Sequence, residues 1–267
     1  MKELLALLNR SKVYDLAQPY FVGMPHFPTH PPFLFGLTKK HGDLLTPGGV
    51  SSAADALALG SHVGTHIDAL AHFSCGGKLH GGFEVSKLQS DANGVQKHSV
   101  DTVSPIIRRG VLLDIAGHLK HDTLPTDFSI TPEHLESAAR AQNVNIEKGD
   151  VVLLRTGWAK FWDDAARFIT GGKAHVATSP GPEIDAARWL SSKGIFAAGS
   201  DTVAFERVPA LEMPVHVHLL VENGIHIIEA LNLEEIAERR VYEFVFIAAP
   251  LKIRGATGSP IRALALA

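Results

Sequence analysis

From about residue 100 onward the chain alternates short apolar runs with segments of helical period. Val111–Ile115 (VLLDI) and Val151–Leu154 (VVLL) are continuous apolar runs bounded by turn residues, a pattern that predicts buried strands. Between them Thr131 suits a helix N-cap and Pro132 a first helical position, which opens a predicted helix to about Gln142. Further helices are predicted over Trp158–Ile169, ended by Gly171-Gly172, and over Pro182–Lys193, ended by Gly194. Ile195–Ala198 reads as a strand, Val215–Asn223 as a helix stopped by Gly224, and Ile225–Ala230 and Tyr242–Ala248 as two more strands. The opening MKELLALLNRSK predicts a short amphipathic helix. Together these elements predict a mixed α/β fold in a single domain spanning 1–267, with a β-rich N-terminal half.

Six prolines, at 19, 25, 28, 31, 32 and 47, exclude a long helix or a central strand from Pro19–Pro47. This arm, about residues 17–50, is expected to be irregular. It reads either as a loop over a pocket, with Phe21, Phe27, Phe33 and Phe35 as apolar lining, or as an arm packed on the core or a second subunit. Phe27 and Phe33 are the candidate substrate contacts.

Composition narrows the function. Net charge is −3 and no basic tract occurs, which argues against nucleic acid or an anionic membrane as partner. No run of about 18 apolar residues is present, so no membrane span is expected. The N-terminus lacks the pattern of a secretory signal. The single cysteine, Cys75, rules out an intramolecular disulfide and fits a reducing compartment. A cytoplasmic enzyme acting on a small molecule is the expectation. Cys75 has no neighbouring base in sequence and is expected to be a buried or inert thiol.

The chemistry concentrates in Ser61–Phe73, SHVGTHIDALAHF, which places His62, His66, Asp68 and His72 within eleven residues. Imidazole and carboxylate are ligands for Zn²⁺, Mn²⁺ and Fe²⁺. Positions 62, 66 and 68 share parity, so on an extended strand their side chains would face one side. Val63, Thr65 and Ile67 favour that extended reading, with Gly64 as a bulge or a point of close approach. His72 lies past the strand, where a turn can return it to the others. Later in the chain Glu229 sits in an apolar strand, IHIIEA, where it is either a ligand or an outward-facing residue. His226, three residues earlier, faces the other side and is expected to be structural. Asp201 is either a partner that orients a ligand histidine or a turn cap. His80 is expected to be a loop residue, and Thr65 a possible support for the site.

The run His62-Val63-Gly64-Thr65-His66-Ile67-Asp68-Ala69-Leu70-Ala71-His72 resembles the H-x-G-T-H-x-D-x-x-x-H signature of the cyclase-like family of metal-dependent hydrolases. Val13-Tyr14-Asp15-Leu16, Leu153–Trp158, Gly199-Ser200-Asp201-Thr202, Gly224–Leu231 and Ser259–Ala263 are similar to further segments of that family. The resemblance implies a swivelling β/β/α type of fold and a homo-oligomer. It makes His62, His66 and Asp68 ligands of one or two divalent metals, Zn²⁺ or Mn²⁺, and His72 the acid/base. It makes Glu229 a late ligand, with a histidine about a dozen residues before it, His216 by alignment and His218 as the alternative. The implied reaction is hydrolysis of a C–N or C–O bond by hydroxide that the metal generates from water. Where formamidases of this family carry Trp-Pro-Gly in the arm, this chain has His26-Phe27-Pro28-Thr29. That departure favours a cyclic amide or lactone over N-formylkynurenine. An arylformamidase is the alternative enzyme, and a metal-binding module without catalysis is the alternative of another class.

Overall fold

The computed structural model describes every residue except 173–175. Nine strands build one mixed sheet, in the order Val13–Asp15, Leu264–Leu266, Glu243–Ala248, Ile106–Asp114, Val151–Arg155, Ala197–Ser200, His226–Glu229, His66–Asp68 and Gly258–Pro260. From Ile106–Asp114 to His226–Glu229 neighbouring strands run parallel, and both flanks are antiparallel. The apolar runs of the sequence are these parallel strands, covered on both faces. On one face Val111, Leu113, Val152 and Leu154 pack under helices Pro132–Gln142 and Ile184–Ser192 through Leu135, Ala138, Ala187 and Leu190. On the other, Leu112, Val151, Leu153 and Ile228 pack with Leu16, Ile236, Phe246 and Ala265.

Most predicted elements stand within a few residues of their expected bounds. Helix Pro132–Gln142 follows Thr131, whose N–H donates to His134 Nδ1 at 3.1 Å. The short N-terminal helix spans Lys2–Leu8. Two expectations need correction. Trp158–Ile169 is not one helix but a 3₁₀ turn, Trp158–Phe161, and a separate helix, Ala165–Thr170. Asp164 breaks it, because its carboxylate caps the second helix by accepting from Arg167 N–H at 3.0 Å. The arm is also more ordered than expected. Leu34–Lys39 pairs antiparallel with Ala54–Ala58, so half of the arm is a hairpin that runs past residue 50. Its strands lie outside the proline-rich stretches, and its two faces are largely exposed.

No helix among the described residues is long and apolar enough to cross a membrane.

Candidate metal and active site

The core of the site is a cross-strand pair. Strand His66–Asp68 lies antiparallel to His226–Glu229 with Glu229 opposite His66, so both side chains share a face. His66 Nε2 comes 3.4 Å from Glu229 Oε2 and 3.5 Å from Asp68 Oδ1. Glu229 ends a parallel strand, where α/β sheets place their ligands. His226, on the same strand, faces away and contacts the Asp68 carbonyl through Nδ1 at 2.9 Å, as its spacing predicts.

His62 reaches the cluster differently from the parity argument. The strand holds only residues 66–68, and the chain reverses at Gly64, which has φ +65°. A Cβ on Gly64 would sit 2.3 Å from Tyr20 Cζ. The Tyr20 hydroxyl lies 2.9 Å from the Val63 carbonyl and 3.1 Å from that of Thr65, clamping the turn. His62 Nδ1 then meets Asp68 Oδ1 at 2.7 Å, and its Nε2 meets Thr257 Oγ1 at 2.8 Å. Gly258 is required beside it, since a Cβ there would press to 2.5 Å from His62 Cε1. His72 returns through a turn closed by its N–H on Ala69 O at 2.9 Å, and its ring stacks on His62 with centroids 3.7 Å apart. Thr65 faces elsewhere: its hydroxyl donates to Ala230 O at 2.6 Å and accepts from Gln18 N–H.

Of the two later histidines, His216 joins the cluster. Its Nε2 is 3.2 Å from Glu229 Oε1 and 3.9 Å from Asp68 Oδ2. His218 points to Ser191 and Glu222 instead. The helix that begins at Pro214–His216 widens into a π-helical segment, Val217–Glu222, a distortion common at functional sites. The sequence reading did not single out Glu206. It is buried, and its Oε1 lies 2.6 Å from His216 Nδ1 and accepts the His216 backbone N–H at 2.9 Å. The signal was there in a lone carboxylate closing the apolar run Val203-Ala204-Phe205, which needs a partner if buried. Its contact fixes which imidazole nitrogen of His216 faces the cluster. Glu206→Gln should therefore weaken metal binding about 10–100-fold in chelator competition, since it keeps an acceptor but loses the charge. Unchanged affinity would remove that role.

The electrostatics call for a cation. Asp68 is held well below the usual carboxylate range: burial opposes this, and the imidazoles of His72 and His62 outweigh it. Burial lowers His216, yet the Glu206 and Glu229 carboxylates push it up to about 10. His66 is raised in the same way, by Glu229 and Asp68 against burial. Carboxylates that hold protons on buried imidazoles would equally hold a metal ion. Two sets of ligand atoms, His62/Asp68/His72 and His66/Asp68/Glu229, each lie within 4.8 Å of one another and share Asp68. Among the described residues, the buried His66 Nε2 and Asp68 Oδ2 lack any hydrogen-bond partner. Two orphaned buried ligand atoms within one His/carboxylate cluster fit a divalent metal.

The cluster opens into a cavity of about 350 Å³, lined by His62, His72, His216 and Glu229 and walled by Phe27, Phe73, Val203 and Met213 among others. Burial drives His72 down to about 3, so it faces this cavity as a neutral imidazole. Phe27 is where a substrate contact was expected. Phe33 is not: it is only 8% exposed and packs with Tyr20 and Phe35 away from the lining. Its ring is needed to fill the seam between arm and core. Asp201 proves to be the turn cap. Its carboxylate accepts from the N–H groups of Thr156, Gly157 and Trp158 and from the Thr156 hydroxyl, and contacts no cluster histidine. Burial pushes Asp201 up to about 6, and those four donors suit its ionised form. His80, expected in a loop, opens the short 3₁₀ turn His80–Gly82, and its Nδ1 lies 2.9 Å from Val221 O. Cys75 is exposed rather than buried, on a hairpin turn with Lys78.

The family model described as "Putative cyclase" matches residues 14–207. This chain belongs to the cyclase family. The isatin hydrolase of Roseibium aggregatum is 33% identical over 214 residues, 79% of this chain and 73% of that protein. The kynurenine formamidase of Bacillus cereus is 27% identical over 263 residues, 96% of this chain and 98% of that one. A crystal structure described as a novel cyclase superposes with a TM-score of 0.87 at 29% identity, covering 99% of this chain and 90% of that one. These two relatives are hydrolases, and the chain is an enzyme of that class.

Proposed function

We propose that this cyclase-family hydrolase opens a small cyclic amide or lactone, using Zn²⁺ or Mn²⁺, one or two per chain, held by His62, His66, Asp68, His216 and Glu229. The observation that carries the reading is the pair of ligand sets meeting at Asp68, with two orphaned buried atoms, at the wall of an apolar cavity. A divalent cation there would polarise the substrate carbonyl and acidify water. Imidazole and carboxylate ligands suit zinc and manganese alike.

The chain's own residues supply the rest. Phe27 and Phe73 pack against a flat ring and exclude water from it. His72 takes the proton from the attacking water and hands it to the departing nitrogen or oxygen. Its depressed basicity favours handing the proton on over keeping it. Asp68 faces the cation that His72 becomes in passing. The exposed apolar hairpin, with Leu34, Phe35, Leu37 and Leu57 at its surface, supports a homo-oligomer in which another subunit covers it.

The isatin hydrolase relative supports the cyclic substrate, and so does Phe27 in the arm. The formamidase relative supports the second reading, an arylformamidase acting on N-formylkynurenine. The test is a panel of isatin, an aryl lactone and N-formylkynurenine assayed with metal-loaded protein. A kcat/KM at least tenfold higher on a cyclic member is expected. N-formylkynurenine far above every cyclic member would replace the substrate assignment and leave the hydrolase.

A further inference from the structure

His62 is held at both of its ring nitrogens. Nδ1 lies 2.7 Å from Asp68 Oδ1, and Nε2 lies 2.8 Å from Thr257 Oγ1. The ring has little room to turn. It is buried, it stacks on His72, and a Cβ on Gly258 would sit 2.5 Å from its Cε1. Nδ1 is the nitrogen that faces Asp68, the carboxylate common to both ligand sets. A cation held by that carboxylate and by this ring therefore takes the Nδ1 lone pair. An imidazole that ligates through Nδ1 carries its proton on Nε2.

Thr257 is built into the sheet where that N–H points. It precedes strand Gly258–Pro260, which runs antiparallel to His66–Asp68 with Gly258 opposite Asp68. Its carbonyl accepts the Ala69 N–H at 2.9 Å, which carries the ladder one step beyond the strand. The hydroxyl is thus fixed to the same segment that bears His66 and Asp68, and its contact with His62 is pre-organised. Among the described residues this hydroxyl makes no other hydrogen bond. A hydroxyl both donates and accepts. With the ring proton on Nδ1, Nδ1–H donates to Asp68 and Nε2 accepts from Thr257. With Nδ1 given to a cation, Nε2–H donates to Thr257. Rotation about one C–O bond serves both arrangements.

The geometry points to Thr257 as a positioning residue of the metal site: its hydroxyl accepts the Nε2–H of His62 and so fixes Nδ1 as the ligand atom. This rests on the metal-dependent reading above. Valine has nearly the shape of threonine but no hydroxyl, so it would leave the N–H of a ligating ring buried without an acceptor. Serine keeps the hydroxyl and loses only a methyl group. Loss of such a partner to a ligating imidazole typically costs about 10–100-fold in metal affinity.

The test reads the metal and the ring directly, without turnover. Zn²⁺ affinity is measured by chelator competition in wild type, Thr257→Val and Thr257→Ser, with the melting of each metal-free protein alongside. Thr257→Val should bind Zn²⁺ about 10–100-fold more weakly while its metal-free form melts near wild type, and Thr257→Ser should restore the affinity. In ¹⁵N-labelled wild type loaded with ¹¹³Cd²⁺, the His62 ring should show metal coupling at Nδ1 and a bound proton at Nε2. Coupling at Nε2, or none at His62, overturns the assignment. So does unchanged affinity in Thr257→Val, or a serine variant as weak as the valine one, which would leave Thr257 a packing role only. Wild type that takes up neither ion sinks the metal reading itself and this inference with it, whereas a defect of Thr257 alone shows only with wild type loaded.

Discussion

His66→Ala should bind essentially no metal after dialysis and should hydrolyse no substrate above background. His66 is a buried member of the proposed ligand set. Its Nε2 lies between Asp68 and Glu229, and its Nδ1 contacts the Gly64 carbonyl at 2.8 Å, which fixes the ring. Alanine removes a ligand and leaves two buried carboxylates facing each other without an imidazole between them. Such a loss of stabilising contacts costs about 1–3 kcal/mol per unsatisfied group, so the thermal stability of the metal-free variant must be measured alongside. A variant that folds, melts near the metal-free wild type and yet retains full metal content by elemental analysis would mean that His66 is no ligand.

His72→Ala should behave in the opposite way. Its expected loss is about 10²–10⁴-fold in kcat, the usual worth of a positioned proton-transfer group, with most of the metal retained. The geometry makes this a sharp distinction, because His72 also falls in one of the two ligand sets. Its ring stacks on His62 rather than joining the cross-strand pair, and it faces the cavity. Elemental analysis and kcat on the same sample separate the two roles. If metal and activity vanish together, His72 is a ligand and the proton must move through another group.

Much of this site was legible in the chain because it is local. His66 and Asp68 share a face for the reason their spacing gives, the two-residue repeat of a strand. His62 does lie beside Asp68, but through the turn at Gly64 rather than through parity. Glu229 and His216 lie more than 140 residues from the motif: the register Glu229↔His66 brings in the first, and the helix Pro214–His216, held by Glu206, brings in the second. Periodicity could not choose between His216 and His218, since a π-helical segment follows and the face each presents depends on that widening. Glu206 and Thr257 escaped notice because each acts through a contact distant in sequence: 10 residues to His216, and 195 to His62. Phe33 shows the opposite error. An aromatic on a proline-rich arm has the same look whether it lines a pocket or seals one, and here it seals. The fold's parallel strands were plain as apolar runs, while the hairpin of the arm was masked by the prolines on either side of its first strand.

The most direct test of the account is to titrate metal-free wild-type protein with Zn²⁺ or Mn²⁺ while following ring opening of isatin by absorbance. Activity should be absent in chelator, rise with each increment of bound metal and level off at one or two ions per chain. Ring opening at full rate in the chelated protein, or none when the metal is bound at that stoichiometry, would contradict it.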